Sequence, residues 1–167
     1  CKIRGVGVSA CSIFEAYLML SMKETKYFII DFDSTFTQVE ALDVLAEIAL
    51  KNNENRTKAV QEIKDITDQG MDGGMSFRES LHRRLEILQA NKSHLPELVD
   101  RLSSLVSPSF KRNTEFIEKY KEQIYIVSNG FKDFIVPIVK QLGIKETHVF
   151  ANDFIYDEAG EITGFDE

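Results

Sequence analysis

The residues with the clearest chemistry are Asp31 and Asp33, which follow the apolar run Tyr27-Phe28-Ile29-Ile30. That run of β-forming residues is typical of a buried strand. In an open α/β sheet, ligands bind beyond the carboxyl ends of the strands. Two carboxylates placed there in the pattern Asp-x-Asp-x-Thr indicate phosphoryl transfer with Mg²⁺, because one can attack phosphorus and hold the metal while the other moves a proton. The Thr35 hydroxyl and nearby main-chain N–H groups can fix the first carboxylate in place.

Length and charge narrow the class of protein. A chain of 167 residues forms one domain with a sizeable core, or a core with a small inserted subdomain. Its net charge of −7 argues against nucleic acid as a partner, because proteins that bind nucleic-acid backbones present a basic face. The charge is compatible with a small phosphate ester, since a bound cation reverses the local field.

Residues 1–22 differ from the rest of the chain and are interpreted as a leader of uncertain origin. Both cysteines, Cys1 and Cys11, lie there, so the remaining sequence has no disulfide, thiolate metal site or cysteine nucleophile. The apolar stretch Val6 to Leu20 is short and contains Glu15, which argues against a signal peptide or membrane anchor. We therefore expect a cytoplasmic protein with no membrane partner.

The order of the elements predicts an α/β fold: a Rossmann-like parallel-sheet core with an inserted helical cap. Strands are predicted at 27–32, 123–127 and 147–151, a hairpin at 154–163, and helices at 40–50, 56–69, 76–88, 94–105, 113–121 and 131–142. One helix would suffice between the first two strands, so the extra helices indicate an insertion. We assign 23–36 and 108–167 to the core and 37–107 to a cap that closes over the site.

Several local signals give sharper expectations. Gly70 and the Gly73-Gly74 pair should end the second helix, and Ser76 should cap the third in a capping box with Glu79. Ser128 should cap the helix after the second strand and bind phosphate there. The histidines lack metal-ligand spacing and are interpreted as surface or structural residues: His82, His94 and His148.

A calcium-binding loop is the main alternative for the Asp-x-Asp pattern. Such a loop needs Gly at its sixth position and Glu at its twelfth. Counted from Asp31, those positions hold Phe36 and Leu42, so the calcium loop is excluded.

With these residues in place, the sequence resembles the haloacid dehalogenase superfamily and, within it, the phosphoserine phosphatases. The resemblance covers about residues 26–167 and rests on Asp31 to Thr35, which match the family's DxDST motif, and on Ser128 in its second motif. Four residues carry the resemblance in and before the cap: Glu40, Met71, Phe77 and Arg84. Several matches in the family's order make this a specific signal.

The sequence departs from the family in two places. The family usually has Ser-Gly-Gly where this chain has Ser128-Asn129-Gly130, and we expect the Asn129 N–H still to meet a phosphate oxygen in a slightly narrower site. The given sequence stops at Glu167, before the family's later lysine and its Gly-Asp-Gly-x-x-Asp loop with a metal-binding aspartate. We therefore expect a fragment that lacks the last part of the core and is poorly active.

The resemblance implies a Mg²⁺-dependent phosphomonoesterase of serine biosynthesis that releases L-serine and phosphate from O-phospho-L-serine. Asp31 would attack phosphorus and form an aspartyl-phosphate, and Asp33 would act as acid and then base. Both would hold Mg²⁺, Asp33 through its main-chain carbonyl. Thr35, Ser128 and Asn129 would bind the phosphate.

The resemblance also implies that Arg84 binds the substrate carboxylate, that Glu40 binds its ammonium, and that Met71 and Phe77 line its stem. From the residues alone, Glu40 and Arg84 would be solvated side chains, and Met71 and Phe77 would belong to the core. Arg83, next to Arg84, is the alternative residue for binding the carboxylate. Three alternatives stay open: a phosphatase of the same superfamily for another small ester, a receiver-like signalling domain phosphorylated on aspartate, and a non-catalytic fragment.

Overall fold

The computed structural model describes residues 26–166, and within this range four strands form one open sheet. In chain order and in spatial order the strands are β1 (Phe28–Ile30), β2 (Ile124–Phe131), β3 (Val149–Tyr156) and β4 (Ile162–Asp166). The first three are parallel, and β4 returns antiparallel to β3 as a hairpin. The predicted α/β fold with a mainly parallel sheet is confirmed.

Helices fill the connections between the strands. They are α1 (Ala41–Ala49), α2 (Arg56–Met71), α3 (Phe77–Leu88), α4 (Leu95–Ser104), α5 (Pro108–Arg112), α6 (Thr114–Tyr120) and α7 (Lys132–Lys140). The first six lie between β1 and β2, and α7 lies between β2 and β3. Helix α2 packs on α3, and α1 contacts both α2 and α4. Helix α4 also packs on α7, so the predicted cap is tied to the core there. The division at 37 and 107 stays a prediction.

The helices were compared with the length and composition of membrane-spanning segments. Within residues 26–166, no helix combines the length and the apolar composition needed to cross a bilayer. The predicted leader, 1–22, lies outside the described residues.

Most predicted helices and strands are present, with changed ends. The first strand is shorter than predicted, because the chain turns away after Ile30. Strand β2 continues four residues past Val127, and the third strand and the first arm of the hairpin form one continuous strand, β3.

Of the glycines predicted to end the second helix, Gly70 does not, because the helix runs on to Met71, whereas Gly73 follows the C-cap Asp72 with a φ of 77°. A Cβ atom on Gly70 would lie only 2.7 Å from the Ser80 Oγ, so glycine here permits close contact between α2 and α3. Ser76 does cap α3, with its Oγ accepting from the Glu79 N–H at 3.2 Å. The Glu79 carboxylate accepts from Arg83 at 2.7 Å, so the second half of the predicted capping box is replaced by an ion pair.

The core holds the loop that follows β1. Phe32 and Phe36 are fully buried, and their rings stack at 5.6 Å between centroids. Phe36 also contacts Phe110, and Phe32 contacts Phe134 of α7. Each buried phenylalanine contributes about 1.5–3 kcal/mol. The two rings therefore anchor the loop from below, and between them Ser34 and Thr35 are exposed while Asp33 is partly buried.

Candidate active site

The loop after β1, Phe32–Phe36, is an irregular turn whose backbone is extended at Asp33 and left-handed at Ser34, and it places the two aspartates at the sheet edge. The Thr37 N–H donates to the Phe32 carbonyl at 2.9 Å, and the Phe32 N–H donates to Asp31 Oδ1 at 2.7 Å. Ser34 adopts a left-handed conformation, with φ of 52° and ψ of 8°. For a residue with a side chain this costs about 1–2 kcal/mol, and such strain collects at functional sites.

A cleft of about 350 Å³ opens above this loop. It is lined by Asp31, Asp33, Ser34, Thr35, Glu40, Leu42, Met71, Phe77, Arg84, Ser128, Asn129 and Gly130. All nine residues predicted from the sequence as site residues are among them. The structure thus brings together residues that are up to 98 positions apart in the chain, and their individual roles remain predictions.

Asp33 is the most perturbed carboxyl group of the cleft. Its pKa is raised from the ordinary 3.8 to about 7, chiefly by burial and also by the nearby carboxylates of Glu40 and Asp31. The Ala41 N–H, which donates to Asp33 Oδ1 at 2.8 Å, and the positive charge of Arg84 oppose the shift. A carboxyl group with a pKa near 7 can donate a proton and take one back close to neutral pH.

The end of β2 forms the opposite wall of the cleft. The Ser128 Oγ accepts from the Gly130 N–H at 2.9 Å, and the Asn152 side chain donates to the Asn129 carbonyl at 2.9 Å. A Cβ atom on Gly130 would lie 3.2 Å from both Asp33 Oδ2 and Ser128 Oγ. Glycine at this position therefore lets the second strand approach the carboxyl group of the first motif.

The prediction that Ser128 caps the next helix is wrong. The N-cap of α7 is Phe131, three residues later, because β2 stays extended through that residue. Ser128 lies at the rim of the cleft within the extended strand. A phosphate role for its hydroxyl stays a prediction, without the support of a helix N-terminus at that residue.

Arg84 and Arg83 are adjacent in sequence but have different surroundings. Arg84 is only 5% exposed and lines the cleft, where its Nε donates to the Ser80 carbonyl at 3.4 Å. Arg83 is on the outer side of α3 and pairs with Glu79 in solvent. Burial lowers the pKa of Arg84, and nearby carboxylates oppose that shift. The buried cation of the cleft is thus Arg84.

Glu40 is the N-cap residue of α1 and lines the cleft. Its Oε1 accepts a hydrogen bond of 2.6 Å from the Ser34 hydroxyl. Met71 and Phe77 are 71% and 41% exposed, so neither is a core residue. The Phe77 ring lies 6.0 Å from the Arg84 Cζ, within the range of a cation–π contact.

Three lining residues were not predicted: Ser34, Leu42 and Gly130. Ser34 and Gly130 lie inside the two motifs, so motif position was an available signal for both. Leu42 is buried on the amphipathic face of α1 and carried no signal apart from the core pattern. The histidines are surface or structural residues, as predicted: His82 is exposed, and His148 is buried with its Nδ1 3.0 Å from the Ile124 carbonyl.

Comparisons with known proteins identify relatives by sequence and by structure. No protein-family model matches the chain. It is 32% identical to the chloroplastic phosphoserine phosphatase of Arabidopsis thaliana over 137 residues, which cover 82% of this chain and 44% of the relative. The chain spans about half the length of the curated relatives it matches.

Solved structures show the same similarity. A phosphoserine phosphohydrolase-like protein from Francisella tularensis superposes with a TM-score of 0.73 at 30% identity, over 84% of this chain and 64% of that one. A phosphoserine phosphatase solved as a phospho-aspartyl intermediate analogue superposes with a TM-score of 0.62 at 27% identity, over 85% of this chain and 62% of that one. The chain is therefore similar, in sequence and in fold, to phosphoserine phosphatases of the haloacid dehalogenase superfamily.

Proposed function

We propose that the protein is a phosphomonoesterase that hydrolyses O-phospho-L-serine to L-serine and phosphate. The observation that carries this proposal is that Arg84 and Glu40 line the same cleft as Asp31 and Asp33. A buried cation and a carboxylate match the carboxylate and ammonium of an amino acid, and the two aspartates match the chemistry of its phosphate. The similarity to phosphoserine phosphatases supports the same substrate.

The reaction divides into two steps that the two aspartates share. The Asp31 carboxylate attacks phosphorus, the bond from phosphorus to the serine oxygen breaks, and protonated Asp33 gives its proton to that oxygen. The Asp33 carboxylate then takes a proton from water, which attacks the aspartyl-phosphate and releases phosphate and free Asp31. The pKa of Asp33, about 7, suits both transfers near neutral pH.

Phosphate and amino-acid ends of the substrate occupy different parts of the cleft in this proposal. The hydroxyl groups of Thr35 and Ser128 and the Asn129 N–H hold the phosphate oxygens. Arg84 donates bidentate hydrogen bonds to the substrate carboxylate, and Glu40 accepts a hydrogen bond from the substrate ammonium. The apolar side chains of Met71 and Phe77 cover the short stem between them.

Magnesium fits the donor atoms at the strand end. Among residues 26–166, no group of three His, Cys, Asp or Glu side chains is arranged to hold a metal ion. Mg²⁺ does not require such a group, because it keeps several waters and commonly uses one or two carboxylates together with a substrate phosphate. The Asp31 carboxylate and the Asp33 main-chain carbonyl would hold it. When bound, Mg²⁺ neutralises negative charge on the phosphate.

A receiver-like signalling domain and a non-catalytic fragment, the two alternatives from other classes of function, predict different behaviour. A receiver-like domain would accumulate phosphate on aspartate without catalytic turnover, and a non-catalytic fragment would do neither. The presence of six helices between β1 and β2, among the residues described, favours a capped phosphatase. The cytoplasmic location inferred from the cysteines stays a prediction.

The test is a substrate comparison with the full-length protein and Mg²⁺. We expect kcat/KM to be highest for O-phospho-L-serine and at least about tenfold lower for phosphoethanolamine, which lacks the carboxylate, and for phospholactate, which lacks the ammonium. Similar values for all three esters would reject the amino-acid assignment and leave a general phosphatase. Phosphorylation without turnover would favour the receiver-like alternative.

A further inference from the structure

Helices α2 and α3 pack closely against each other. The Ser80 hydroxyl donates to the Ile66 carbonyl at 3.1 Å, and Gly70 leaves no room for a side chain beside Ser80. This contact fixes the position of one helix along the other. It sets Thr67 of α2 opposite Arg84 of α3.

The Thr67 hydroxyl is buried and has partners on three sides. Its hydrogen faces the Ile63 carbonyl at 3.0 Å and Asp43 Oδ1 at 3.4 Å, and its oxygen accepts from Arg84 Nη1 at 3.3 Å. Thr67 is only 6% exposed, so water does not compete freely for these bonds. The hydroxyl therefore links α1, α2 and α3 through one atom.

Asp43 lies behind this link on α1. Of the carboxylates that oppose the lowering of the Arg84 pKa, Asp43 has the largest influence, ahead of Glu40 and Asp33. Neither Thr67 nor Asp43 is among the residues that line the cleft. Thr67 therefore bonds Arg84, and Asp43 acts on its charge, without either residue lining the cleft.

We propose that Thr67 is a positioning residue that holds the Arg84 guanidinium in the cleft, with Asp43 as the charge behind it. The consequence for substrate rests on the proposed function, in which Arg84 binds a carboxylate. A long arginine side chain loses rotational freedom when it binds, and a fixed partner reduces that loss before the substrate arrives. Thr67 thus acts on substrate binding without touching the substrate.

The kinetic test compares Thr67→Val with Thr67→Ser in the full-length protein. Valine keeps the shape and loses the hydroxyl, whereas serine keeps the hydroxyl and loses a methyl group. We expect Thr67→Val to raise KM for O-phospho-L-serine about three- to tenfold, less than removal of Arg84 itself would, because Arg84 keeps its charge and loses only a positioning hydrogen bond. KM for p-nitrophenyl phosphate should change less than about twofold. Thr67→Ser should restore the wild-type KM. Equal changes on both substrates, or no rescue by serine, would show that Thr67 only supports helix packing.

A second measurement needs no substrate. In ¹⁵N NMR spectra, a guanidinium held by Thr67 and Ser80 should show slow rotation and slow hydrogen exchange, with Arg84→Lys identifying its signals. We expect these signals in the wild type and in Thr67→Ser, and averaged, rapidly exchanging signals in Thr67→Val. Unchanged Arg84 signals in Thr67→Val would overturn the proposal. If the Arg84 signals rotate and exchange slowly but the protein does not hydrolyse phosphoserine, the positioning role of Thr67 stands and the proposed substrate is rejected.

Discussion

The Asp33 Oδ1 accepts a hydrogen bond of 2.8 Å from the N–H of Ala41, the first residue of α1. The carboxyl group with the most perturbed pKa in the cleft is therefore tied to the start of the helical segment above it. An N–H at a helix start stabilises a negative charge, yet burial outweighs it and the pKa of Asp33 is still raised to about 7.

Asp33 should make stability depend on pH in the metal-free protein. Its folded pKa of about 7 lies above the ordinary 3.8, so the folded state holds the proton more tightly than the unfolded state. This contribution is fully present below pH 4 and is lost as pH rises to about 7. We expect the free energy of unfolding, relative to Asp33→Asn, to fall by up to about 1.4 kcal/mol per pH unit in this window. Urea denaturation of the wild type and of Asp33→Asn, in EDTA between pH 4 and 8, measures the free energy of unfolding of each. If the two free energies changed with pH in parallel, the prediction would be contradicted.

Arg84→Ala should weaken the recognition of substrates that carry a carboxylate. Loss of a charge-assisted bond in a closed pocket costs about 1.5–3 kcal/mol, so KM for O-phospho-L-serine should rise about 10- to 100-fold. KM for p-nitrophenyl phosphate, which has no carboxylate, should change less than about threefold. Steady-state kinetics on both substrates measures the difference.

Arg83→Ala is the matched control for this substitution. Arg83 is solvent-exposed and pairs only with Glu79 on the same helix among the ion pairs of the described residues. We expect unchanged kinetics on both substrates. Equal losses on the two substrates in Arg84→Ala would instead assign Arg84 to the phosphate or to closure of the cap.

The choice between these arginines was open to sequence reasoning. On α3, the buried residues Leu81, Leu85 and Leu88 define one helical face, and Arg84 lies within it, three residues after Leu81. Arg83 falls outside that face. A cation on an apolar face is a specific signal, because burying it needs a partner.

Other features depend on contacts that are distant in sequence. Asp31 and Asp33 were predictable because a strand and its carboxyl end are local features. Gly70 looked like a helix stop, and only Ser80 on the neighbouring helix shows that it permits close packing. The raised pKa of Asp33 arises from burial beneath several elements, which no local pattern encodes.

Gly130→Ala should impair the site through crowding. The new methyl group would lie 3.2 Å from Asp33 Oδ2, from Ser128 Oγ and from Ile135 Cδ1, so at least one of them must move. We expect kcat to fall about tenfold or more, because a small displacement of a catalytic group has a large effect on rate. The free energy of unfolding should fall by about 1–3 kcal/mol.

Gly164→Ala serves as the control for that substitution. Gly164 lies in β4, and a Cβ atom there would meet nothing within 4 Å. We expect wild-type kcat and stability within about 0.5 kcal/mol. If the two variants were equally active, the close approach of β2 to Asp33 would have no part in catalysis.

Asp31→Asn and Asp33→Asn should separate the two carboxyl groups by the intermediate that each allows. Asp31→Asn removes the only atom proposed to attack phosphorus, so neither turnover nor covalent phosphate should be detectable. Asp33→Asn keeps that nucleophile and can still accept from the Ala41 N–H, but it can no longer move a proton. Its turnover should fall at least about 100-fold while a slowly decaying acyl-phosphate forms on Asp31. Rapid acid quench with ³²P-labelled phosphoserine, followed by alkaline release of the label, measures both. Label retained by Asp31→Asn and absent from Asp33→Asn would reverse the assignment, making Asp33 the nucleophile and Asp31 the proton carrier.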